Sequence, residues 1–155
     1  HYLGLPLIMR RGPIQLLLED ASVAYELHNY SYEKWLGGEK AKYIASGKSP
    51  YGVLPVVELE GKSYTHLLPI LRHLSRHLGK YTGHTADEEY LVDVYADLIN
   101  DWFTSFAQFT FIEKGSSEQS TPHFVPKFLQ ACEYYLSVNE QGPYLLGDEL
   151  SYGDF

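Results

Sequence analysis

The sequence predicts an α/β domain followed by an all-helical domain. Apolar segments of strand and helix type alternate over residues 1–79, and beyond a polar, glycine-containing interval the apolar residues recur at helical spacing. A length of 155 residues leaves open one large domain or two small domains that share an interface. The change of pattern favours two domains, which we place at residues 1–79 and 87–155.

Composition and net charge argue against some classes of binding partner. The net charge is −8 and no block of Lys or Arg occurs, which argues against nucleic acid or anionic lipid as the main partner. No window approaches the ~20 apolar residues of a membrane span. The single cysteine, Cys132, cannot form an intrachain disulfide, and no signal-peptide pattern opens the chain. We therefore expect a soluble protein of a reducing, cytoplasmic compartment.

The first third of the chain reads as strand, loop, helix, strand. Residues 2–5 are apolar and extended in type, and Pro13 fits the first turn of a helix that carries apolar residues at 14 and 16–18. Residues 23–30 alternate weakly and predict a second strand. Residues 31–50 mix Gly, Lys, Glu and Trp with little period, so we expect an irregular, exposed segment there.

A hairpin and a helix complete the first domain. Two short apolar runs flank Glu60 and Gly61, a pair typical of a tight turn, so residues 54–64 predict two antiparallel strands. Apolar residues then recur at helical spacing from Leu67 to Leu78. Pro69 is tolerated only in the first turn, so this helix must begin near residue 67.

The second domain is predicted as helices. Thr85 and Glu88 resemble a capping box, and the apolar positions that follow trace one face of a long helix up to Phe106. Residues 116–122 break the pattern before a further helix at about 124–138. Ser151 and Asp154 have the spacing of another capping box, whose helix would lie mostly beyond residue 155. We therefore expect the C-terminal domain to be incomplete in this sequence.

Six segments form a recognisable series of motifs: Pro-Ile-Gln-Leu-Leu-Leu at residues 13–18, Tyr-Gly-Val-Leu-Pro at 51–55, Thr-His at 65–66, Ile-Leu-Arg-His-Leu at 70–74, the helix segment 91–102, and Leu-Leu-Gly-Asp-Glu-Leu-Ser-Tyr-Gly-Asp at 145–154. In their order and spacing these motifs resemble the cytosolic glutathione transferases, most closely the pi and sigma types. Each motif alone is weak, but together they cover nearly the whole chain. The resemblance implies a thioredoxin-like domain followed by a helical bundle, with glutathione bound at the seam between them.

The resemblance also implies a peptide cradle and its charged clamps. The family's cis-proline loop matches Val53, Leu54 and Pro55, with the backbone of Leu54 pairing with the cysteinyl residue of glutathione. Outside the family, an ordinary trans proline at a strand start would be the default reading. The family residues that bind the glycyl carboxylate of glutathione match Trp35 and Lys42. Those that bind the γ-glutamyl carboxylate match His66 and Leu67. The carboxylate that reaches the γ-glutamyl amine across the dimer interface matches Asp101.

Two positions depart from the family pattern. The family usually has Gln-Ser where this chain has His66 and Leu67, so a side-chain hydroxyl is missing there, although helix amides and His66 could still bind a carboxylate. Lys40 and Lys48 are alternatives to Lys42 for binding the glycyl carboxylate, because more residues separate Lys42 from Pro55 than in typical pi-type proteins. His66 could equally be a surface turn residue and Leu67 a packing residue, while a solvated loop is the usual environment of lysines.

The tyrosine whose hydroxyl stabilises the thiolate in this family also has no match at its usual position in this sequence. An alignment without gaps puts Gly4 at the position of the family's tyrosine, and Tyr2 lies two residues earlier on the same face of a strand. Either an insertion of two residues within 5–9 restores Tyr2 to the site, or the hydroxyl is absent. Tyr2 and Arg10 are the catalytic candidates, Tyr2 as hydrogen-bond donor to the sulfur and Arg10 as an arginine that orders the loop and adds positive potential. Arg10 could instead be only a surface charge.

The resemblance implies an apolar pocket for an electrophile. Its candidate residues are Leu5, Phe106, Phe109 and Phe111, although a helix rich in phenylalanine is more often core. His73 and His77 have a spacing that metal sites use, but no carboxylate or cysteine completes a set, so no metal is expected.

The implied function is glutathione S-transferase, an enzyme that conjugates glutathione to small hydrophobic electrophiles as a cytoplasmic homodimer. Two alternatives stay open: a catalytically weak scaffold or interaction protein of the same fold, and a sigma-like glutathione-dependent isomerase. Glutathione is expected as co-substrate. The electrophile is not determined by the sequence.

Overall fold

The computed structural model describes residues 1–4, 9–112, 121–139 and 141–155. It divides into two compact units, His1–Leu78 and Gly79–Asp154. The break falls at the glycine that opens the polar interval of the sequence.

The first unit alternates strands and helices. The strands are β1 Tyr2–Leu3, β2 Asn29–Tyr30, β3 Val56–Leu59 and β4 Lys62–Thr65. The helices are α1 Gly12–Asp20, preceded by a 3-10 turn at Met9–Arg11, then α2 Tyr32–Lys34, a π-helical turn at Trp35–Glu39, α3 Lys40–Ala45 and α4 Leu67–Leu78. The predicted first helix and the helix that starts at residue 67 are both confirmed.

The strands form two two-stranded sheets, β1-β2 and β3-β4. β1 pairs with β2 in parallel and β3 with β4 antiparallel. The backbone of His1 bridges the two pairs, because its nitrogen donates to the Val56 carbonyl at 2.8 Å and its carbonyl accepts from the Val56 nitrogen at 3.1 Å. This antiparallel register carries the end of β1 alongside the residues that precede Val56.

The hairpin of β3 and β4 turns where it was predicted. Glu60 and Gly61 have φ of +51° and +76°. Two successive residues with positive φ are the signature of the turn whose twist matches that of the flanking strands.

Two sequence expectations in this unit are wrong. The second strand was expected over 23–30 but is confined to Asn29–Tyr30. The segment 31–50 was expected to be irregular and exposed, yet it is largely helical and buries Trp35 and Tyr43, each 5 % exposed. Trp35 and Tyr43 lie eight residues apart on one helical face, but Gly38, with φ of +146°, interrupts the helix between them and hides the period.

The core of the first unit has two parts. Leu17 and Ile70, from α1 and α4, are fully buried. Trp35, Tyr43 and Val56 form a second cluster, against which the partly buried residues Leu3, Tyr30 and Leu54 pack.

The second unit is helical, with α5 Ala86–Ala107, a π-helical turn at Gln108–Ile112 and α6 Thr121–Leu136. The capping box of Thr85 and Glu88 is confirmed, since the Thr85 hydroxyl accepts from the Glu88 nitrogen at 3.2 Å and the Glu88 carboxylate accepts from the Thr85 nitrogen at 3.1 Å. α6 begins three residues before its predicted start at residue 124. Within the described residues, no helix combines the length and the apolar character that crossing a membrane requires.

At the C-terminal motif of the second unit, half of the expected capping box forms, because the Ser151 hydroxyl accepts from the Gly153 nitrogen at 3.2 Å while the Asp154 nitrogen donates to the Ser151 carbonyl. The Asp154 carboxylate accepts from both the backbone nitrogen and the hydroxyl of Ser151, at 2.8 and 2.7 Å. Its other oxygen accepts from the buried Leu145 backbone nitrogen at 3.0 Å. One carboxylate thus ties two turns of this segment together.

Candidate functional site

The loop before β3 presents an open backbone edge at Leu54. The Leu54–Pro55 bond is cis, as expected. Among the residues that the structure describes, no hydrogen bond occupies the N–H or the C=O of Leu54. An unpaired edge next to a strand is where an extended peptide adds by backbone pairing.

Ser49 holds this loop in place. Its side chain is fully buried, and its hydroxyl donates to the Val53 carbonyl and accepts from the Val53 nitrogen, each at 2.9 Å. The Ser49 carbonyl also accepts from the Gly52 nitrogen at 2.8 Å. With Val53 satisfied from behind, Leu54 is left as the residue whose backbone is unpaired. The sequence argument missed Ser49; the Ser-Pro-Tyr-Gly run at 49–52 is the turn signal that contains it.

A glycine next to the loop makes room for Lys40. Gly52 has φ of +67°, and a Cβ there would lie 2.7 Å from Cε of Lys40. The ammonium of Lys40 is one bond further on, and in the described part of the chain it makes no ion pair. Lys40 is therefore a cation beside the cradle that is paired with no carboxylate among the described residues.

The two other lysines are already paired. Lys42, the residue favoured from the sequence, lies 2.7 Å from the Glu39 carboxylate, and its side chain is 72 % exposed. The hydrogen bond to Glu39 raises the pKa of Lys42. Lys48 lies 2.6 Å from Glu58.

Trp35 is a core side chain of the cluster described above. Its ring packs against Tyr43 with centroids 5.3 Å apart, in an edge-on arrangement. Because its ring is buried, the main role of Trp35 is packing.

The start of α4 offers backbone donors. Ile70 donates to the His66 carbonyl at 3.0 Å, and residue 69 is proline, so the amides of Leu67 and Leu68 have no partner within the helix. His66 is exposed with φ of +68°, and its Nδ1 lies 3.0 Å from the Thr65 hydroxyl. Two free amides at the positive end of a 12-residue helix suit an anion.

Tyr2, the first residue of β1, is buried, with 8 % of its surface exposed. Burial raises the pKa of its hydroxyl, and this effect outweighs the backbone hydrogen bond from Arg10 and the positive charges of Arg10 and Arg11, which lower the pKa. The hydroxyl is consequently protonated at neutral pH. Because it accepts from Arg10, its own hydrogen stays available to donate to another atom.

Gly4, the alternative position for the tyrosine, is exposed and has space for a side chain. A Cβ there would meet its nearest neighbours, on Asn29 and Tyr30, at 3.6 and 3.7 Å, which are ordinary contacts. The register of His1 with Val56 runs β1 past Pro55 and Leu54, so residues 2–4 lie along the cradle side of β3.

The remaining candidates lie in the second unit or outside the described residues. Asp101 is exposed on α5. Phe106 stacks on Trp102 with centroids 5.3 Å apart, and Phe109 is partly buried. Leu5 and the side chain of Phe111 lie outside what the structure describes. No group of three or more His, Cys, Asp or Glu side chains that could hold a metal occurs among the described residues.

Comparison with known proteins gives one family. The family model for the C-terminal domain of glutathione S-transferase matches residues 100–155. Glutathione S-transferase 4 of Caenorhabditis elegans is 30 % identical over 152 residues, which cover 92 % of this chain and 69 % of that protein. Glutathione S-transferase P of the same organism is 29 % identical over 147 residues, covering 92 % of this chain and 66 % of the relative.

A solved structure has the same fold. The crystal structure of monomeric Na-GST-3, a glutathione S-transferase of the hookworm Necator americanus, superposes with a TM-score of 0.76 at 26 % identity, covering 98 % of this chain and 73 % of that one. The chain thus spans about two thirds to three quarters of these relatives.

Proposed function

The chain belongs to the glutathione transferases, a family of enzymes with a thioredoxin-like domain followed by a helical domain, and we propose that it conjugates reduced glutathione to small hydrophobic electrophiles. The observation that carries this proposal is the unpaired Leu54 backbone beside β3. Detoxification in the cytoplasm is the setting that this activity fits.

Glutathione is an extended tripeptide, so its cysteinyl N–H and C=O can pair with the C=O and N–H of Leu54. Ser49 keeps Val53 from competing for this edge. Backbone pairing fixes the direction of the peptide, and therefore which carboxylate lies at each end of the cradle.

We assign the two carboxylates of glutathione to two groups, the Lys40 ammonium and the free amides at the start of α4. Lys40 takes the glycyl carboxylate in place of Lys42, because Lys40 lies against Gly52 and has no competing carboxylate. The amides of Leu67 and Leu68 take the γ-glutamyl carboxylate without help from a side-chain hydroxyl. Asp101 is assigned to the γ-glutamyl amine of a glutathione held by a second subunit.

The thiol of glutathione has an ordinary pKa near 8.5, so catalysis requires a donor that favours the thiolate. Tyr2, protonated because its pKa is raised, is assigned this role, and Arg10 contributes positive potential and a backbone donor that orients the Tyr2 hydroxyl. The thiolate then attacks the electrophile, a carbon–sulfur bond forms, and the leaving group departs with its electron pair.

Calorimetric titration with glutathione, and with an analogue whose cysteinyl amide is replaced by an ester, tests the cradle. The ester removes the N–H that donates to the Leu54 carbonyl, so we expect affinity to fall by about tenfold. Turnover of 1-chloro-2,4-dinitrobenzene with glutathione tests the chemistry. Binding without turnover would leave the scaffold alternative, which the glycine at position 4 and the leucine at position 67 favour. Turnover confined to one lipid substrate would favour the isomerase.

We propose in addition that the protein is a homodimer. Tyr51 is 78 % exposed at the tip of the loop next to Gly52, an unusual environment for a large aromatic residue. Light scattering at micromolar concentration should return twice the chain mass, and Tyr51→Ser should return the monomer mass of 17.7 kDa. Monomer mass for the unsubstituted protein would refute the dimer, and the monomeric hookworm relative shows that the fold permits that state.

A further inference from the structure

Helix α3 presents an aliphatic side chain as well as a cation beside the cradle. Lys40 and Ile44 lie four residues apart on α3, so their side chains share one side of that helix. A Cβ at Gly52 would lie 2.7 Å from Cε of Lys40 and 2.9 Å from Cδ1 of Ile44. Both side chains therefore cover the same glycine, which is buried beneath them.

The strand register shows which end of the cradle this is. Val56 pairs with Thr65, so the start of α4 lies at the Pro55 side of the cradle. Gly52 lies at the opposite side, two residues before Leu54. A peptide that pairs antiparallel with Leu54 therefore directs its N-terminal residue toward α4 and its C-terminal residue toward Gly52.

Ile44 keeps an uncovered apolar surface at this end. Its side chain packs on Gly52, yet the residue is 44 % exposed. Covering exposed aliphatic surface with another apolar group is favourable. The C-terminal glycine of glutathione has no side chain, so it cannot make this contact, whereas a C-terminal aliphatic residue can.

Lys40 supplies the charge that any such peptide requires. Among the described residues it forms no ion pair, whereas Lys42 lies 2.7 Å from Glu39. An ammonium and an aliphatic group side by side match the two parts of an aliphatic C-terminal residue. The ammonium binds the carboxylate, and the aliphatic group contacts the side chain.

We propose that the cradle accepts γ-glutamyl-cysteinyl peptides whose C-terminal residue is aliphatic, and that Ile44 determines this specificity. The inference rests on the proposed function, because it uses the same Leu54 edge and the same assignment of Lys40. The reaction is unchanged. The peptide thiol loses its proton to solvent, its sulfur forms a bond to the electrophile, and the leaving group departs with its electron pair.

Calorimetric titration of the whole chain compares glutathione with γ-glutamyl-cysteinyl-leucine under reducing conditions. We expect the leucyl peptide to bind about fivefold more tightly, the gain expected from partly covering one aliphatic side chain. With 1-chloro-2,4-dinitrobenzene as the electrophile, the gain should appear in KM and not in kcat, because the C-terminal residue does not contact the reacting sulfur.

Four variants separate the two contacts. Ile44→Ser removes the aliphatic group, so the ratio of the two affinities should fall to about one, whereas Ile44→Val should keep most of the preference. Lys40→Gln should weaken both peptides alike, because both carry the C-terminal carboxylate, and should leave their ratio unchanged. Leu16→Ser removes a side chain of similar exposure, 51 %, from α1 and is the matched control, with the ratio unchanged.

If glutathione binds and the leucyl peptide binds equally or more weakly, the inference is overturned while the proposed function stands. A preference that survives Ile44→Ser also overturns it, because the leucyl side chain would then lie elsewhere. If neither peptide shows saturable binding, the cradle itself is refuted, and both proposals fail.

Discussion

The Ser49 hydroxyl bonds both backbone groups of Val53, donating to its carbonyl and accepting from its nitrogen at 2.9 Å each. Removing this hydroxyl leaves two backbone groups without their partner in a buried environment, a cost of roughly 1–3 kcal/mol each. Val53 is then free to rotate and compete for the edge at Leu54.

Ser49→Ala should therefore raise KM for glutathione by about tenfold while kcat changes little, because the loop positions the peptide and does not contact the reacting sulfur. Ser46→Ala is the matched control, since the Ser46 hydroxyl donates to the Tyr43 carbonyl but faces solvent. Equal effects of the two substitutions would show that Ser49 has no special role in the cradle.

The choice between two lysines is testable with one pair of variants. Lys40→Gln should raise KM for glutathione by about tenfold, because it removes the cation assigned to the glycyl carboxylate. Lys42→Gln should change KM by less than about twofold, since Lys42 is exposed and paired with Glu39. With the glycyl monoethyl ester of glutathione, Lys40→Gln should lose its effect. If Lys42→Gln raised KM for glutathione more than Lys40→Gln, Lys42 would be the residue that binds the glycyl carboxylate.

Tyr2→Phe should raise the pKa of the bound thiol and lower turnover by about an order of magnitude, since one pKa unit corresponds to about 1.36 kcal/mol. Thiolate absorbance against pH, recorded at saturating glutathione, measures the shift directly. An unchanged titration would remove Tyr2 from the mechanism.

Gly4→Tyr examines the alternative position of the hydroxyl. Because a Cβ at Gly4 meets only ordinary contacts, we expect this variant to fold and to lower the bound-thiol pKa, with Gly4→Phe as the control that adds the ring without the hydroxyl. A gain shared equally by both variants would be an effect of the ring and would count against a hydroxyl role at this position.

Leu67→Ser restores a hydroxyl at the first residue of α4, where the free amides are assigned to the γ-glutamyl carboxylate. One charge-assisted hydrogen bond is worth about 1.5–3 kcal/mol, so glutathione should bind at least about tenfold more tightly, with little change in the bound-thiol pKa. Leu67→Ala, which shortens the side chain without adding a donor, should not tighten binding. If both tighten binding alike, relief of crowding is the cause.

His84 and Glu149 form an exposed pair 2.7 Å apart that links two segments 65 residues apart in the second unit. The hydrogen bond from the His84 ring to the Glu149 carboxylate raises the pKa of His84 above its usual value of 6.5. A raised folded-state pKa stabilises the protein below the unfolded-state pKa, and this contribution is lost as pH rises through the folded-state pKa.

Thermal unfolding of the unsubstituted protein and of His84→Gln should therefore differ most below about pH 6.5 and converge at alkaline pH. High salt should reduce the difference, since both side chains are exposed. A difference that does not depend on pH would mean that the pair is not ionic.

The sequence by itself determined the local elements of this protein. The α4 boundaries, the Glu60–Gly61 turn, the capping box of Thr85 and Glu88 and the contact of Ser151 with Asp154 were predictable, because each depends on residues at most four or five positions apart in the chain. The order of such elements was also enough to suggest the family, which the relatives then established.

The tertiary structure alone decided which polar groups surround the cradle and which side chains form the core. Lys40 and Lys42 are indistinguishable in the sequence, and they differ only because one packs on Gly52 and the other meets Glu39. The burial of Trp35 and the hydrogen bonds of Tyr25 to Gln15 and Glu19 depend likewise on side-chain contacts that no periodic pattern records. Periodicity reports which face of an element is apolar, whereas the partner of a given side chain is set by three-dimensional packing.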